Sequence, residues 1–244
     1  MKALVLAQRN WKEILRDPLN IAFGLGFPLA ILLLLSAIQA RIPIDLFRID
    51  QLVPGVAVFG LSFISLFSAT LISKDRTTSF LARLLASPLT ATDFILGYTL
   101  PMLPIAVLQV LVCYITAFFL GLPVTFNVVL AIVVMLPTMI FFIALGLLCG
   151  TIFNDKQVGG ICGALLTNLS GWLSGTWFDL KLVGGWFERI AGWFPFAPAV
   201  EATRATLNGN YANISHSLIF VTLYAVITCS IAVGAFQRRM REDI

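Results

Sequence analysis

Charged residues make up only 11% of this 244-residue chain, and they gather in a few places. One is the run Lys74-Asp75-Arg76, followed by Phe80-Leu81-Ala82-Arg83-Leu84-Leu85 and Ser87-Pro88. Its chemistry is contact chemistry. Charges stand at one end, and a Phe/Leu face that water should not cover suits a membrane surface or a groove on a partner protein. A second place is Glu201 and Arg204, three positions apart, which can form an ion pair on a helix. Asp179 and Glu188 share that region, but His and Cys at metal-ligand spacing are missing, so no metal site is expected. The one histidine, His216, stands at the mouth of an apolar stretch. Cys113, Cys149, Cys162 and Cys229 lie in apolar stretches with no CxxC pair, and they read as packing residues. There is no HExxH, no GxSxG and no glycine-rich loop ending in Gly-Lys-Ser/Thr, so no catalytic or nucleotide-binding role is expected of this chain.

The elements that must position these residues follow from composition. Hydrophobic residues make up 59% of the chain, against about 45–50% in soluble domains. No globule of this length has interior enough for them, so an all-α integral membrane protein is expected. A spanning helix needs about 20 apolar residues. Six such stretches occur, at 19–38, 53–73, 94–120, 127–152, 157–176 and 216–236, and together they make one transmembrane domain over 1–244. Residues 1–17 set Leu4, Ala7, Trp11, Ile14 and Leu15 on one helical face, with Lys2, Arg9, Lys12, Glu13 and Arg16 opposite. Such a helix suits the membrane interface.

Orientation follows from Lys and Arg. Eleven flank one side of the six spans and five the other. The excess places both termini in the cytoplasm of a multi-pass protein of the cell membrane. In soluble proteins a net charge of +4 suggests nucleic acid; here the positions of the charges assign it to membrane orientation instead. Gly146/Gly150, Gly159/Gly163 and Gly171/Gly175 are spaced for close helix contact, within the chain or with a second copy. Pro28, Pro101, Pro104 and Pro137 interrupt spans, either as simple bends or as kinks around a cavity. The spans hold almost no ionisable residue, which argues against proton or sodium coupling. Uphill transport would then draw its energy from another chain.

Between the second and third spans, Thr77, Thr78 or Ser79 can cap a short helix, and Ser87-Pro88 stops it. Thr90 or Thr92 can cap the next one. At this point the chain resembles the permease subunits of ABC type-2 export transporters. Lys74-Asp75-Arg76 match the family's charged run, and Arg83-Leu84-Leu85-Ala86-Ser87-Pro88-Leu89 its Leu-rich segment. Ser79-Phe80 stand where the family often has Gly-Thr, and Ala82 where it often has Glu. Pro195, Glu201 and Arg204 fit its pattern before the last span. Trp11, Arg16, Asp17 and Pro18 fit its opening, and Val53-Pro54-Gly55 its second-span start. The order and spacing of these matches cover nearly the whole chain.

The resemblance implies an assembly of two permeases, identical or related, with two ABC ATPase subunits that carry ATP and magnesium. No cofactor is implied on this chain. Residues 77–88 would be the coupling helix in the ATPase groove, with Asp75, Arg76, Phe80, Leu81, Arg83, Leu84, Leu85 and Pro88 as coupling residues. Residues 177–213 would be re-entrant helices at the outer mouth. There the Glu201–Arg204 pair is structural or part of an exit gate. Uncharged spans suit a lipophilic or amphiphilic cargo (drug, lipid, glycolipid or peptide), with Phe59, Phe63, Thr70, Asn168 and Ser174 as candidate lining. Two other readings stay open: a non-transporting membrane scaffold subunit, and an intramembrane lipid-modifying enzyme.

Overall fold

The computed structural model describes residues 2–77 and 90–242, and among them the chain is helical with no strand. Helix α1 is Lys2–Leu15. A turn at Pro18–Ile21 and a π-helical stretch at Ala22–Gly26 lead into α2, Phe27–Gln39. Next come α3, Ile49–Thr77, and α4, Ala91–Phe119. Then follow α5, Phe126–Val134, and α6, Leu136–Ile152. A helical run then passes through Asp155–Val158, the π-helical Gly159–Leu166, and α7, Thr167–Leu173. Short helices follow: Leu180–Val183, then α8, Gly185–Trp193, and α9, Phe196–Leu207. The last, α10, is Ile214–Glu242.

Local chemistry sets the boundaries. Thr90 caps α4 through a reciprocal box in which its side chain accepts from the Asp93 N–H while Asp93 accepts from Thr90. Asn154 and Gln157 form the same box at the start of the run beside α6. Gly184 and Gly185 both hold positive φ and separate the short helix Leu180–Val183 from the next, Gly185–Trp193. The chain turns at Met135, and Pro137 opens α6 where its missing N–H costs nothing.

Among the described residues, five stretches are long and apolar enough to cross a membrane: Ala22–Gln39, Ile49–Arg76, Thr92–Phe119, Phe126–Ile152 and Ile214–Arg239. The protein is therefore a multi-pass membrane protein. The sixth expected span, 157–176, is not among them. It is helical as far as Leu173, but Gln157, Thr167, Asn168, Ser170 and five glycines keep its apolarity too low. Its course is nonetheless defined by contacts along α3. Asp155 accepts from Ser73, Gly163 lies on Leu66, Gly171 on Phe59, and Thr176 on Gly55. The run is thus antiparallel to α3 over nearly all of α3's length.

Helix α3 is the centre of the bundle. It packs on α4, α6 and the 155–173 run, and its membrane-length window is almost wholly buried. Two of its buried serines are satisfied within the helix itself. Ser62 donates to Phe59 O and Ser68 to Ile64 O, within their own helix. Its closest neighbour is α6. A Cβ on Gly146 would sit 2.2 Å from the Ser65 carbonyl oxygen, and one on Gly150 2.5 Å from that of Ala69. These glycines pack within the chain, as small residues do where backbones meet.

Gly146→Ala should lower thermal stability in detergent by about 1–3 kcal/mol, because the carbonyl it meets belongs to a buried helix that must shift. Gly160→Ala, at a position open to space, should leave the melting temperature unchanged or raise it.

Candidate functional site

The functional site expected from sequence is the end of α3 and the segment after it. Phe80, Leu81, Arg83, Leu84, Leu85 and Pro88, with most of the 77–88 helix, lie outside the described residues. The residues that lead into them are described, and four in a row bind four different places.

Ser73 donates to Asp155 at 2.9 Å, at the start of the run beside α3. Lys74 reaches Asp17 at 3.3 Å, in the turn after α1. Asp75 is 2% exposed and takes both guanidinium nitrogens of Arg9, on α1, at 2.6 and 2.7 Å. Tyr98 of α4 donates its hydroxyl to the same carboxylate. Arg76 reaches the carbonyls of Gly150, Thr151 and Phe153 at 2.7–3.0 Å. There its charge meets the negative end of α6. Helix α1 is seated as well by Asn10, which accepts from Arg9 and donates to Gly97 O on α4.

Side-chain periodicity explains why one helix end can do this. Four consecutive residues on a helix point about 100° apart, so together they face every direction. Asp75 and Arg76, expected as coupling residues, are thus turned into the chain, onto α1, α4 and α6. Burial works against the charge of Arg9, but the bond to Asp75 and the charges of Asp75 and Glu13 outweigh it and raise its pKa. The pair is bidentate, the geometry in which an Arg–carboxylate bond is strongest. The sequence reading puts Arg9 on the polar face of α1 without a partner for it, and it does not include Asn10 or Tyr98. Arg9 and Asp75 stand 66 positions apart, and no local spacing joins them.

On α1 the buried face is Leu6, Ala7, Asn10 and Ile14, packed on α4. Leu4, Val5 and Leu15 are exposed instead, so two residues of the expected apolar face, Ala7 and Ile14, meet protein rather than lipid.

The opposite end is held by Arg204 of α9. Its Nε donates to Gln51 O at 2.9 Å and its Nη2 to Gly175 O at 3.0 Å. It makes no ion pair with Glu201 within 4 Å. Two backbone carbonyls hold the guanidinium instead, and Glu201 lines a cleft with Asp179, Lys181 and Glu188. Withdrawal of water by the cleft walls pushes the Glu201 carboxyl above its ordinary range, outweighing Lys181 and Arg204.

The five candidate lining residues do not converge. Phe59 and Phe63 stack edge-on with Phe27 and Trp177 at 5.2–5.7 Å in an aromatic cluster. Thr70 borders a crevice beside α1. Asn168 is exposed and bonds to Ala164 O, while Ser174 is buried against Thr176. Among the described residues no three His, Cys, Asp or Glu side chains gather as metal ligands would.

The model of the ABC-2 type transporter family matches residues 1–208. A curated relative, described as a transport permease, ycf38, of Porphyra purpurea, is 27% identical over 228 residues. That match covers 89% of this chain and 77% of the relative.

Two outcomes test this geometry. Arg9→Ala should cost near the lower end of about 3–5 kcal/mol in thermal unfolding, since it strands a buried carboxylate while Arg9 itself is 34% exposed. Adding Asp75→Asn should restore part of that loss. For Glu201 the folded chain holds its proton more tightly than the unfolded one does. Its contribution to stability is therefore intact at low pH and falls as pH rises from the ordinary carboxylate range through the raised value. Glu201→Gln should remove that decline, measured as melting temperature against pH.

Proposed function

Because the chain belongs to the ABC-2 type transporter family, we propose that it is the transmembrane permease subunit of an ATP-driven exporter. The observation that carries this reading beyond family membership is the junction at residues 73–76. A force applied to the segment after it passes at once to α1, α4, α6 and the run beside α3. That is the wiring a helix coupled to an ATPase needs. Residues 77–88 form that coupling helix, and Phe80, Leu81, Leu84 and Leu85 seat it in a groove of the ABC ATPase. Arg83 and Pro88 set its polar side and its end.

The working complex holds two such ATPases, with ATP and magnesium on them, and a second permease that is identical or related. The chain acts as one transmembrane domain with six crossings. The run at 155–173 makes the sixth, which its antiparallel course beside α3 supports. Both termini then lie in the cytoplasm, α1 lies against the inner face of the cell membrane, and 177–213 caps the outer mouth. Phe23, Phe27 and Leu34 of the first span, with Leu165 and Trp172, leave an apolar wall exposed. That wall suits the second permease and a lipophilic or amphiphilic cargo (drug, lipid, glycolipid or peptide) between the two. Phe59 and Phe63 touch that wall through Phe27. Arg204 fixes the outer mouth, and Glu201 faces the exit.

The chain should be co-purified with a candidate ATPase, and ATP hydrolysis compared between wild type and Phe80→Asp plus Leu84→Asp. The variant should lose assembly and stimulated hydrolysis while keeping its melting temperature. Unchanged assembly and hydrolysis would sink the transporter reading and favour a scaffold subunit.

A further inference from the structure

Arg204 brings a charge to the end of the bundle where α3 begins, and its surroundings answer that charge incompletely. A guanidinium carries five N–H donors. Its Nε and Nη2 each meet one backbone carbonyl, and among the described residues no carboxylate stands within 4 Å of it. Burial presses its pKa below the ordinary value, outweighing the pull of Asp179, Glu201 and Asp50. An anion brought to the remaining donors would offset that loss of water. There is room for one. Two clefts, of about 360 and 230 Å³, meet at Gly175, Asp179 and Arg204. The larger falls within the range of small-ligand sites, about 300–1,000 Å³.

The walls of the larger cleft select the rest of the ligand. Phe47, Trp177 and Phe178 line it and offer faces to a flat apolar body. Asp45 and Asp179 line it as well, and both are exposed. Asp179 spends one oxygen on the Lys181 N–H at 3.0 Å, which leaves the other for a ligand. A simple carboxylate would meet Arg204 but be repelled by the two aspartates. A simple amine would meet the aspartates but be repelled by Arg204. A carboxylate and an ammonium on one carbon answer both signs at once. A peptide carries only one of them at each end, so it lacks this pairing.

We infer that this cleft binds a free α-amino acid with an aromatic side chain, its carboxylate on Arg204, its ammonium on Asp179 and Asp45, and its ring among Phe47, Trp177 and Phe178. The site is remote from the junction at residues 73–76 and stands whether or not the chain transports anything. The full chain, purified in detergent, is titrated by calorimetry with L-tryptophan, tryptamine, indole-3-propionate and glycine. The last three lack in turn the carboxylate, the ammonium and the ring. Wild type should bind tryptophan about tenfold more tightly than each of them. Asp179→Asn, which keeps an oxygen for the Lys181 N–H, should bring tryptophan down to the level of indole-3-propionate without weakening the latter. Wild-type binding of tryptophan no tighter than that of any one of the three, or an undiminished preference for tryptophan over indole-3-propionate in Asp179→Asn, would overturn the site. If that variant proves unstable, the wild-type ranking decides it.

Discussion

Asp75 is a carboxylate buried where two long apolar helices come together, and much of that end of the molecule is arranged to keep it paired. A charge removed from water in this way is tolerable only while its partners stay in place. Arg9 supplies two hydrogen bonds and Tyr98 a third, so α1 and α4 cannot separate from the end of α3 without exposing an unpaired charge. Arg76 adds a different restraint, because it satisfies carbonyls that α6 leaves open at its C-terminus. Neighbouring residues thus tie three other helices to one point, each by a group that is costly to leave unmatched.

The same helix is bound at its other end in a comparable way. Arg204 joins the start of α3 to the end of the 155–176 stretch through two backbone carbonyls. Between these anchors, contact with α6 is set by glycines against backbone, which leaves little room for sliding. The result is a central mast fixed at both ends, with α2 and α10 far less covered by protein. Rearrangement is easiest in the outer helices and hardest in the mast. The two π-helical stretches, Ala22–Gly26 and Gly159–Leu166, lie on either side of the mast near Leu66 and Phe67, where a helix can change its winding at small cost.

The helices themselves were legible because apolarity and length are local properties. Five spans agree with their apolar stretches to within a few residues, and the cap at Thr90 follows from side chains three positions apart. The family was legible from the order of weak motifs. The site was legible only in part. Asp75 and Arg76 stood out as charges beside an apolar span, but their partners come from distant parts of the chain, and Tyr98 and Asn10 look like ordinary packing residues. The expected Glu201–Arg204 pair rested on helical spacing alone. Tertiary structure offered Arg204 two carbonyls at shorter reach, and spacing carries no information about them. The 157–176 stretch was read as a span from its apolar residues, while its buried Thr167 and Ser170 show that part of its burial is by protein rather than lipid.

That last stretch bears on biogenesis. A segment with so many small and polar residues partitions weakly into a bilayer by itself, since every unsatisfied polar group in hydrocarbon carries a cost. On the proposed six-crossing layout, its place at depth depends on lying along α3, which leaves the ribosome well before it. Insertion of this part of the chain is therefore templated: α3 must already be in place, with its groove open, when residues 155–173 emerge. Lesions on the face of α3 that receives the run would show first as failed membrane integration and rapid turnover of the nascent protein.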